Sequence, residues 1–246
     1  NRIAKQKQIK KIKSGLYYIV PLDNENFYPD KIHIASKLID ESIITGPAAL
    51  KILNTQAGIQ PNIQQTNDTI YILSKNQSKK YLDKQIYRTI KSNTGFGILK
   101  TQYQTNYTEI EIKLTDLERT IIECIKTRSI KAQDMINMIR TRQNQQQFNI
   151  DIKKIQTYLE KYNINILYNK IGLILEVCSP FLKIEKDEIE KLRKKLTKKI
   201  YYYKEPGLRL MRPKYEYYKE WNIMITKELH DLIKSIRPVQ SQTIQG

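Results

Sequence analysis

The segment YTEIEIKL, residues 107–114, constrains the fold most, because apolar and charged residues alternate along it. Ile110, Ile112 and Leu114 fall on one face of an extended chain, and charged side chains fall on the other. The segment therefore predicts a β-strand with one buried face and one polar face. Helical periodicity follows at once and continues almost to Lys199. The chain is thus expected to be an α/β (α+β) protein in which a sheet precedes a helical region.

Turn-forming residues separate further strands upstream of this segment. Short extended runs predict strands at 69–73, 85–90 and 97–102. Asp30 is expected to N-cap a helix, and Ile43 with Ile44 to form a short buried strand. The expected architecture is a mixed sheet flanked by helices. The expected parts of the chain are the end of an N-terminal domain at 1–22, an α/β part at 29–126, a mainly helical part at 127–236 and a flexible tail at 237–246.

In the C-terminal half, apolar residues recur at helical spacing. This periodicity predicts helices at 130–142, 150–162, 164–177, 186–198 and 227–236. Residues 201–225 instead predict extended segments, which Pro206 and Pro213 interrupt.

Composition indicates a globular protein of the cytoplasm. The chain has 246 residues, 40% of them hydrophobic, so it can bury a core. It contains neither an apolar run of about 20 residues, as a membrane span requires, nor a signal-peptide pattern. Cys124 and Cys178 lie in apolar helical contexts, which favours buried free thiols in a reducing compartment.

The formal net charge of +18 is concentrated at the two ends of the chain. Residues 1–14 hold six bases and no acid, whereas residues 15–126 hold 13 bases and 12 acids. Such an excess attracts phosphate groups regardless of sequence. Residues 1–8 are compatible with a helix end. The alternation of Ile12, Leu16, Tyr18 and Val20 predicts a half-buried strand. A helix end, a basic turn and a strand after Gly15 are typical of a recognition helix followed by the wing of a winged helix-turn-helix.

A second basic region, 183–219, contains 13 bases and six acids. Tyrosines are interleaved with these charges, namely Tyr201, Tyr202, Tyr203, Tyr215, Tyr217 and Tyr218. Such a region would bind nucleic acid if the lysines pair with phosphates and the rings stack on bases. The same rings could instead pack on a protein partner. A solvated basic helix beside a tyrosine-lined core accounts for the pattern equally well.

Catalytic signatures are scarce. Eight Gly leave no phosphate-binding loop, and His33 and His230 lack the spacing of a zinc site. Asp68, Glu111 and Lys113 have the acid, acid-x-Lys order with which many nucleases hold a metal, which leaves a metal-dependent nuclease as an alternative. Solvated side chains on a polar strand face explain the same residues. We expect no enzyme activity, no cofactor and no bound metal.

Four segments, taken in order, resemble the AbiEi antitoxins of the AbiE type IV toxin-antitoxin systems. RIAKQKQIKKIKSGLYYIVP is similar to their recognition helix and wing, with the basic-Gly-x-Tyr pattern at Lys13, Gly15, Leu16 and Tyr17. KIHIASKLIDESIITGPAALKILN is similar to their next block, with Ala48-Ala49-Leu50 at a Ser-Ala-Leu-like triplet. KLTDLERTIIECI matches their E-R-T segment at Glu118, Arg119 and Thr120. KYNINILYNKIGLILE matches their R/K-x-G-x-L-x-E pattern at Lys170, Gly172, Leu173 and Glu176.

The resemblance covers most of residues 1–225 and implies a function without bond-making chemistry. It implies a repressor that binds duplex DNA at its own operator and counteracts a nucleotidyltransferase-like toxin, with which it need not form a stable complex. The sequence begins after the earlier helices of the winged domain, and we expect further residues before Asn1. Arg119 is expected to have a structural role and Glu118 to cap a helix.

The expected DNA contacts are the N-terminal cations and one tyrosine, with Arg2 and Lys5 approaching bases: Arg2, Lys5, Lys7, Lys10, Lys11, Lys13 and Tyr17. An alternative function is an RNA- or DNA-binding component of a larger assembly that uses the second basic region. Its candidate surface comprises Lys194, Lys195, Lys198, Lys199, Arg209, Arg212 and Tyr202.

Overall fold

The computed structural model describes residues 9–59, 69–76, 78–82, 86–144, 150–204, 206 and 213–236. The chain forms two compact units. The first unit comprises residues 1–50 and 67–116, and the second comprises 51–66 and 117–246. Each unit therefore combines segments that are separated in the sequence. The helix end expected at 1–8 and the tail expected at 237–246 lie outside the described residues.

A two-stranded antiparallel hairpin begins the described part of the first unit. Its strands are β1 (Ile9–Lys13) and β2 (Leu16–Ile19). The single strand expected to run through to Val20 was therefore wrong in extent, because the chain reverses at Ser14 and Gly15. Gly15 has φ of +79°, a left-handed conformation that glycine adopts without steric cost.

A six-stranded mixed sheet confirms the sheet predicted for the first unit. Its order is β5-β6-β4-β3-β8-β7, with parallel β3–β8 and β4–β6 pairs and antiparallel pairs elsewhere. Short β5 was not predicted. The strands are β3 (Ile43–Thr45), β4 (Thr69–Ser74), β5 (Lys80–Leu82), β6 (Ile86–Lys91), β7 (Ile98–Gln104) and β8 (Glu109–Thr115).

The alternation of YTEIEIKL is realised in β8. Ile112 and Leu114 are buried, whereas Glu109 and Glu111 are exposed. Helix α1 (Lys31–Lys37) contacts β3 and β8 and buries its apolar side chains. The Asp30 carboxylate accepts hydrogen bonds from the second and third backbone N–H groups of that helix, which confirms its predicted capping role.

Helices dominate the second unit. Helix α2 (Gly46–Gln56) begins in the first unit and its later turns belong to the second. The remaining helices are α3 (Leu117–Thr127), α4 (Ala132–Asn144), α5 (Ile152–Tyr162), α6 (Asn165–Leu182), α7 (Lys186–Arg193) and α8 (Lys227–Ile236). Among the described helices, none combines the length and the apolar character needed to cross a lipid bilayer.

Helix α6, the longest of the described helices, has eleven buried residues and contacts α3, α4 and α7. Cys178 on α6 and Cys124 on α3 are buried free thiols, as predicted. Burial raises the pKa of the Cys178 thiol to about 12, so the thiol stays protonated and packs as a small apolar group.

A three-stranded sheet lies near the C-terminal end of the second unit. Its strands are β9 (Tyr201–Tyr202), β10 (Tyr215–Tyr218) and β11 (Ile223–Thr226), in the order β10-β11-β9. β10 and β11 are antiparallel, β11 and β9 are parallel, and a 3-10 turn at Lys219–Trp221 joins β10 to β11. The inner face, which includes fully buried Ile223 and Ile225, faces away from solvent.

Helix α7 ends at Arg193, so the helix predicted for 186–198 was wrong beyond that residue. Residues 194–198, which were predicted to be helical, contain Lys194, Lys195 and Lys198. In a helix continued to residue 198, Lys191 with Lys195 and Lys194 with Lys198 would form two like-charged pairs four positions apart, which destabilises helices.

Candidate nucleic-acid interface

The outer face of the β1–β2 hairpin brings together two of the predicted DNA-contact residues. Lys11 lies directly opposite Tyr17 in the register, and both side chains are exposed. Ile19, on the same face, is also exposed. The register shifts between Lys11 and Lys13, and a bulge of this kind increases the local twist of a hairpin. The twisted β1–β2 hairpin therefore exposes the Lys11 side chain beside the Tyr17 ring.

The other face of the hairpin packs on aromatic side chains of the same unit. The Tyr18 ring lies 5.7 Å from the Tyr28 ring and 6.4 Å from the Phe27 ring, between centroids. Phe27 in turn contacts Tyr107, with centroids 5.2 Å apart. Aromatic pairs at such distances are stabilising. These contacts hold the hairpin in place and determine which face remains exposed.

Lys10 and Lys13 are less available to a phosphate than Lys11. Lys10 lies opposite Tyr18, and its Nζ donates a hydrogen bond to the backbone carbonyl of Glu25 at 3.3 Å. Lys13 lines a groove of about 460 Å³ together with two acidic residues, Asp40 and Glu41. Arg2, Lys5 and Lys7 lie outside the described residues.

The Glu41 carboxylate in that groove is itself paired. Lys75 donates a hydrogen bond to it at 3.2 Å, and this contact, together with the charge of Lys75, lowers the pKa of Glu41. Glu41 consequently stays ionised near the hairpin. The groove is therefore of mixed charge, whereas Lys11 on the outer face lies opposite an uncharged residue, Tyr17.

The second predicted surface contains exposed lysines that follow α7. Lys194, Lys195, Lys198 and Lys199 are all exposed. Lys195 lies 3.6 Å from Glu160, and the Nζ of Lys199 lies 5.7 Å from the centroid of the Tyr201 ring. Tyr202 is exposed, whereas Arg209 and Arg212 lie outside the described residues.

The E-R-T residues lie in the interior of the second unit. Glu118 accepts a hydrogen bond from the backbone N–H of Asp151 at 3.2 Å and pairs with Lys154 at 3.0 Å. These contacts join the start of α3 to the start of α5. Arg119 is fully buried, and its Nε donates to the Tyr162 hydroxyl at 3.2 Å. The burial and contacts agree with the structural role expected for Arg119.

Glu123 completes this buried cluster one turn further along α3. Its carboxylate accepts a hydrogen bond from the Tyr162 hydroxyl at 2.5 Å and from Lys126 at 3.2 Å, and lies 3.9 Å from the Arg119 guanidinium. Burial, followed by the charge of Glu123, raises the pKa of Tyr162, so the phenol remains a donor. Arg119, Glu123 and Tyr162 therefore satisfy one another's charges and hydrogen bonds within the core.

The Lys-x-Gly-x-Leu-x-Glu residues hold the only tryptophan of the sequence against α6. A Cβ on Gly172 would lie 2.0 Å from the indole of Trp221, so only glycine leaves space for the ring. Trp221 donates a hydrogen bond from Nε1 to the Glu176 carboxylate, which also pairs with Arg193 at 2.7 Å. The Asn169 side-chain amide donates to the Trp221 carbonyl at 2.7 Å. In this chain the motif packs a helix against a turn.

Lys170 of the same motif is a buried cation. It is 3% exposed, and its Nζ lies 5.1 Å from the centroid of the Tyr203 ring. Burial, reinforced by the charges of Arg128 and Lys204, lowers the pKa of Lys170 to about 8. Its protonation therefore changes close to neutral pH.

The residues of the nuclease hypothesis lie on the polar face of β8. Glu111 pairs with Lys100 at 3.3 Å, and both side chains are largely exposed. Lys113 follows on the same face, and Asp68 lies outside the described residues. Within the described ranges, no group of three or more His, Cys, Asp and Glu side chains is arranged to hold a metal. The nuclease reading stays a hypothesis.

Sequence reasoning missed the partners that lie far away along the chain. Tyr162 was not assigned a role, yet it bridges Arg119 and Glu123. Trp221 was not connected to Gly172, although a single glycine inside an apolar helix is a signal for close packing.

No protein-family model matches the chain, and no curated protein matches it. The resemblance to AbiEi antitoxins therefore rests on the four sequence segments and their order.

Proposed function

We propose that the protein is a DNA-binding antitoxin and transcriptional autorepressor of the AbiEi type. The single observation that carries the proposal is the exposed pair of Lys11 and Tyr17 on the outer face of the basic β1–β2 hairpin. In this assignment the hairpin is the wing of a winged helix-turn-helix, and residues 1–8 are the end of its recognition helix. The wing contacts phosphates, while the helix reads base edges.

The charges near the hairpin support the choice of duplex DNA as partner. Lys11 is exposed on a ribbon whose inner face is fixed by aromatic contacts, so the backbone that carries the cation is positioned before DNA arrives. A preorganised cation loses less conformational entropy on binding a phosphate than a mobile one does. Lys10, bound to a backbone carbonyl, is expected to contribute less than Lys11.

In this proposal the second unit opposes a nucleotidyltransferase-like toxin and performs no bond-making chemistry. The charged residues of its E-R-T segment are buried and engaged in packing, which supports a structural role for these residues. Acting on an operator and on such a toxin places the protein in the cytoplasm.

Salt-dependent DNA binding tests the repressor function. The probe is a labelled duplex that covers the promoter of the protein's own operon, and binding is followed by fluorescence anisotropy across a range of NaCl concentrations. A Lys10→Gln, Lys11→Gln, Lys13→Gln triple variant should lower the slope of log affinity against log salt by about 0.9 for each phosphate that is no longer neutralised. Among the single variants, Lys11→Gln should have the largest effect.

A variant of equal charge change provides the control. Lys31, Lys37 and Lys91 are exposed lysines of the same unit, and their replacement by Gln should leave the slope close to that of the wild type. If the control triple weakens binding as much as the hairpin triple, net charge alone explains the affinity and the hairpin is not the interface.

Co-expression tests the antitoxin function separately. If a nucleotidyltransferase gene adjoins the reading frame, its product should arrest growth, and co-expression of this protein should restore growth. Rescue should persist in the hairpin triple variant, because the two functions are assigned to different units. Continued arrest in the presence of folded wild-type protein would contradict the antitoxin assignment without affecting the DNA-binding result.

A further inference from the structure

One face of the three-stranded sheet presents tyrosine rings to solvent. The register places Met224 on central β11 between Tyr202 on one neighbour and Tyr217 on the other. Tyr215 precedes Tyr217 by two positions and so shares its face. Tyr202 and Tyr217 are 47% and 48% exposed. The rings of Tyr202 and Tyr215 meet edge to face with centroids 5.1 Å apart, so the side chains form one continuous surface.

These rings are held by contacts within the second unit. The Tyr217 hydroxyl donates a hydrogen bond to the Asn222 side-chain oxygen at 2.8 Å. The Asn222 amide donates to the backbone carbonyls of Thr197 at 2.8 Å and Lys199 at 3.2 Å. The adjacent Trp221 is fixed on α6. These contacts restrain the Tyr217 side chain before any ligand binds, which reduces the entropic cost of binding.

Exposed lysines lie at both ends of each edge strand. Lys199 precedes β9 and Lys204 follows it, while Lys214 precedes β10 and Lys219 follows it. The acidic side chain within β10, Glu216, lies on the opposite face, where it pairs with His230. By the same alternation Lys204 and Lys219 fall on the side of the tyrosine face, whereas Lys214 shares the side of Glu216. The Lys199 Nζ lies 5.7 Å from the centroid of the Tyr201 ring, which is also on that other side. Lys204 and Lys219 are therefore the lysines that border the tyrosine face.

We infer that this face binds single-stranded nucleic acid, with bases stacked on Tyr202 and Tyr217 and phosphates held by the bordering lysines. Rings that alternate with cations match a strand in which π-faces alternate with phosphates. A duplex keeps its bases stacked inside the helix, so it cannot use the rings. Aromatic side chains on sheets of comparable width stack about two or three bases. The site shares no residue with the hairpin, so it is independent of the proposed operator binding.

Anisotropy of labelled oligonucleotides tests this inference on the full chain. The probes are oligouridine RNA and oligothymidine DNA, each about ten nucleotides long, because single-strand sites commonly have this order of size. Tyr202→Ala and Tyr217→Ala should each weaken binding about tenfold without changing the salt dependence. Tyr202→Phe should retain wild-type affinity, since the ring is kept. A preference for one probe identifies RNA or DNA as the ligand.

The bordering lysines are tested by the salt response. Replacing Lys204 and Lys219 by Gln should lower the slope of log affinity against log salt by about 0.7 for each phosphate of the single strand that is no longer neutralised. Tyr107→Ala provides a control, because it removes an exposed tyrosine of the first unit and should leave oligonucleotide binding unchanged. Trp221, the single tryptophan, is buried, so unaltered emission shows that each variant is folded.

Several results would overturn the inference. Wild-type protein that binds neither probe at low salt excludes the site. Folded alanine variants that bind as tightly as wild type show that stacking plays no part, and a duplex that competes equally well shows the same. Should an alanine variant lose the wild-type emission, Tyr202→Leu replaces it, because leucine keeps apolar area on the strand but offers no ring. Wild-type affinity in this variant also counts against the inference.

Discussion

The two units bury different kinds of polar group. The buried polar side chains described in the first unit are hydroxyls and one carboxylate, namely Ser42, Thr45, Thr89, Thr105, Thr115 and Asp116. Those of the second unit include five charged side chains, Glu118, Arg119, Glu123, Arg142 and Lys170. Hydroxyls need only a nearby acceptor, whereas buried charges need partners of opposite charge or hydrogen bonds in fixed geometry.

The partners differ accordingly. In the first unit, Ser42 donates to the carbonyl of Ala35 at 2.5 Å, and the Thr45 and Thr115 hydroxyls meet at 3.0 Å. In the second unit, Arg119 and Glu123 depend on Tyr162, which comes from another helix. The core of the second unit is consequently more sensitive to the loss of one distant side chain.

Glycine substitutions should give the largest difference between the units. Gly172→Ala forces the Trp221 ring out of its site, which resembles deletion of a buried tryptophan and should cost about 4 kcal/mol. Gly15→Ala places a Cβ in open space at φ of +79° and should cost about 1 kcal/mol through backbone strain. Urea unfolding of both variants measures the two costs. Equal costs would show that the indole is not confined by Gly172.

Loss of a buried charge should have the next largest effect. Glu123→Gln keeps the shape of the side chain but removes the negative charge beside buried Arg119, which should cost about 3 kcal/mol. The matched change in the first unit, Thr45→Val, removes one hydroxyl of a buried pair and should cost about 1 kcal/mol. Thermal unfolding of both variants tests the comparison. A Glu123→Gln cost no larger than that of Thr45→Val would contradict it.

The smallest effect is expected from the titration of Lys170. Its pKa of about 8 in the folded protein lies below the ordinary value of 10.5, so the unfolded chain binds more protons between these two pH values. The free energy of unfolding should therefore rise with pH across that window, by about 2 kcal/mol from pH 7.5 to 10. Below pH 8 the penalty of burying the charged amine is fully present. Lys170→Met should remove this rise.

Urea unfolding of wild type and Lys170→Met at both ends of the window measures the effect. Other groups that titrate there, such as tyrosines, are common to the two proteins and cancel in the difference. Lys131→Met, which removes an exposed lysine, should leave the pH dependence unchanged. Parallel curves for wild type and Lys170→Met would show that Lys170 keeps its ordinary pKa in the folded protein.

Local patterns predicted most of the elements. The alternation around Ile112 sets β8, and the carboxylate of Asp30 sets the start of α1, because both signals act within a few residues. The end of α7 was missed because repulsion among successive lysines outweighs the apolar spacing of the predicted helix.

The candidate sites were less predictable than the elements. Lys11 and Tyr17 adjoin because of a tight turn, which Gly15 indicates in the sequence. The face formed by Tyr202 and Tyr217 depends on a third strand, β11, between them, and pairing between strands is not encoded by local composition. Sequence therefore indicated the residue types of that surface without their arrangement.

The interleaving of the two units limits how the protein can be divided experimentally. Residues 51–66 belong to the second unit although they lie between the two segments of the first. They include Asn54, whose side-chain oxygen accepts a hydrogen bond at 2.6 Å from buried Arg142. A truncation that begins at residue 117 deletes this acceptor and strands a guanidinium in the core. No single truncation therefore yields either unit complete, so the two units are best expressed as one chain.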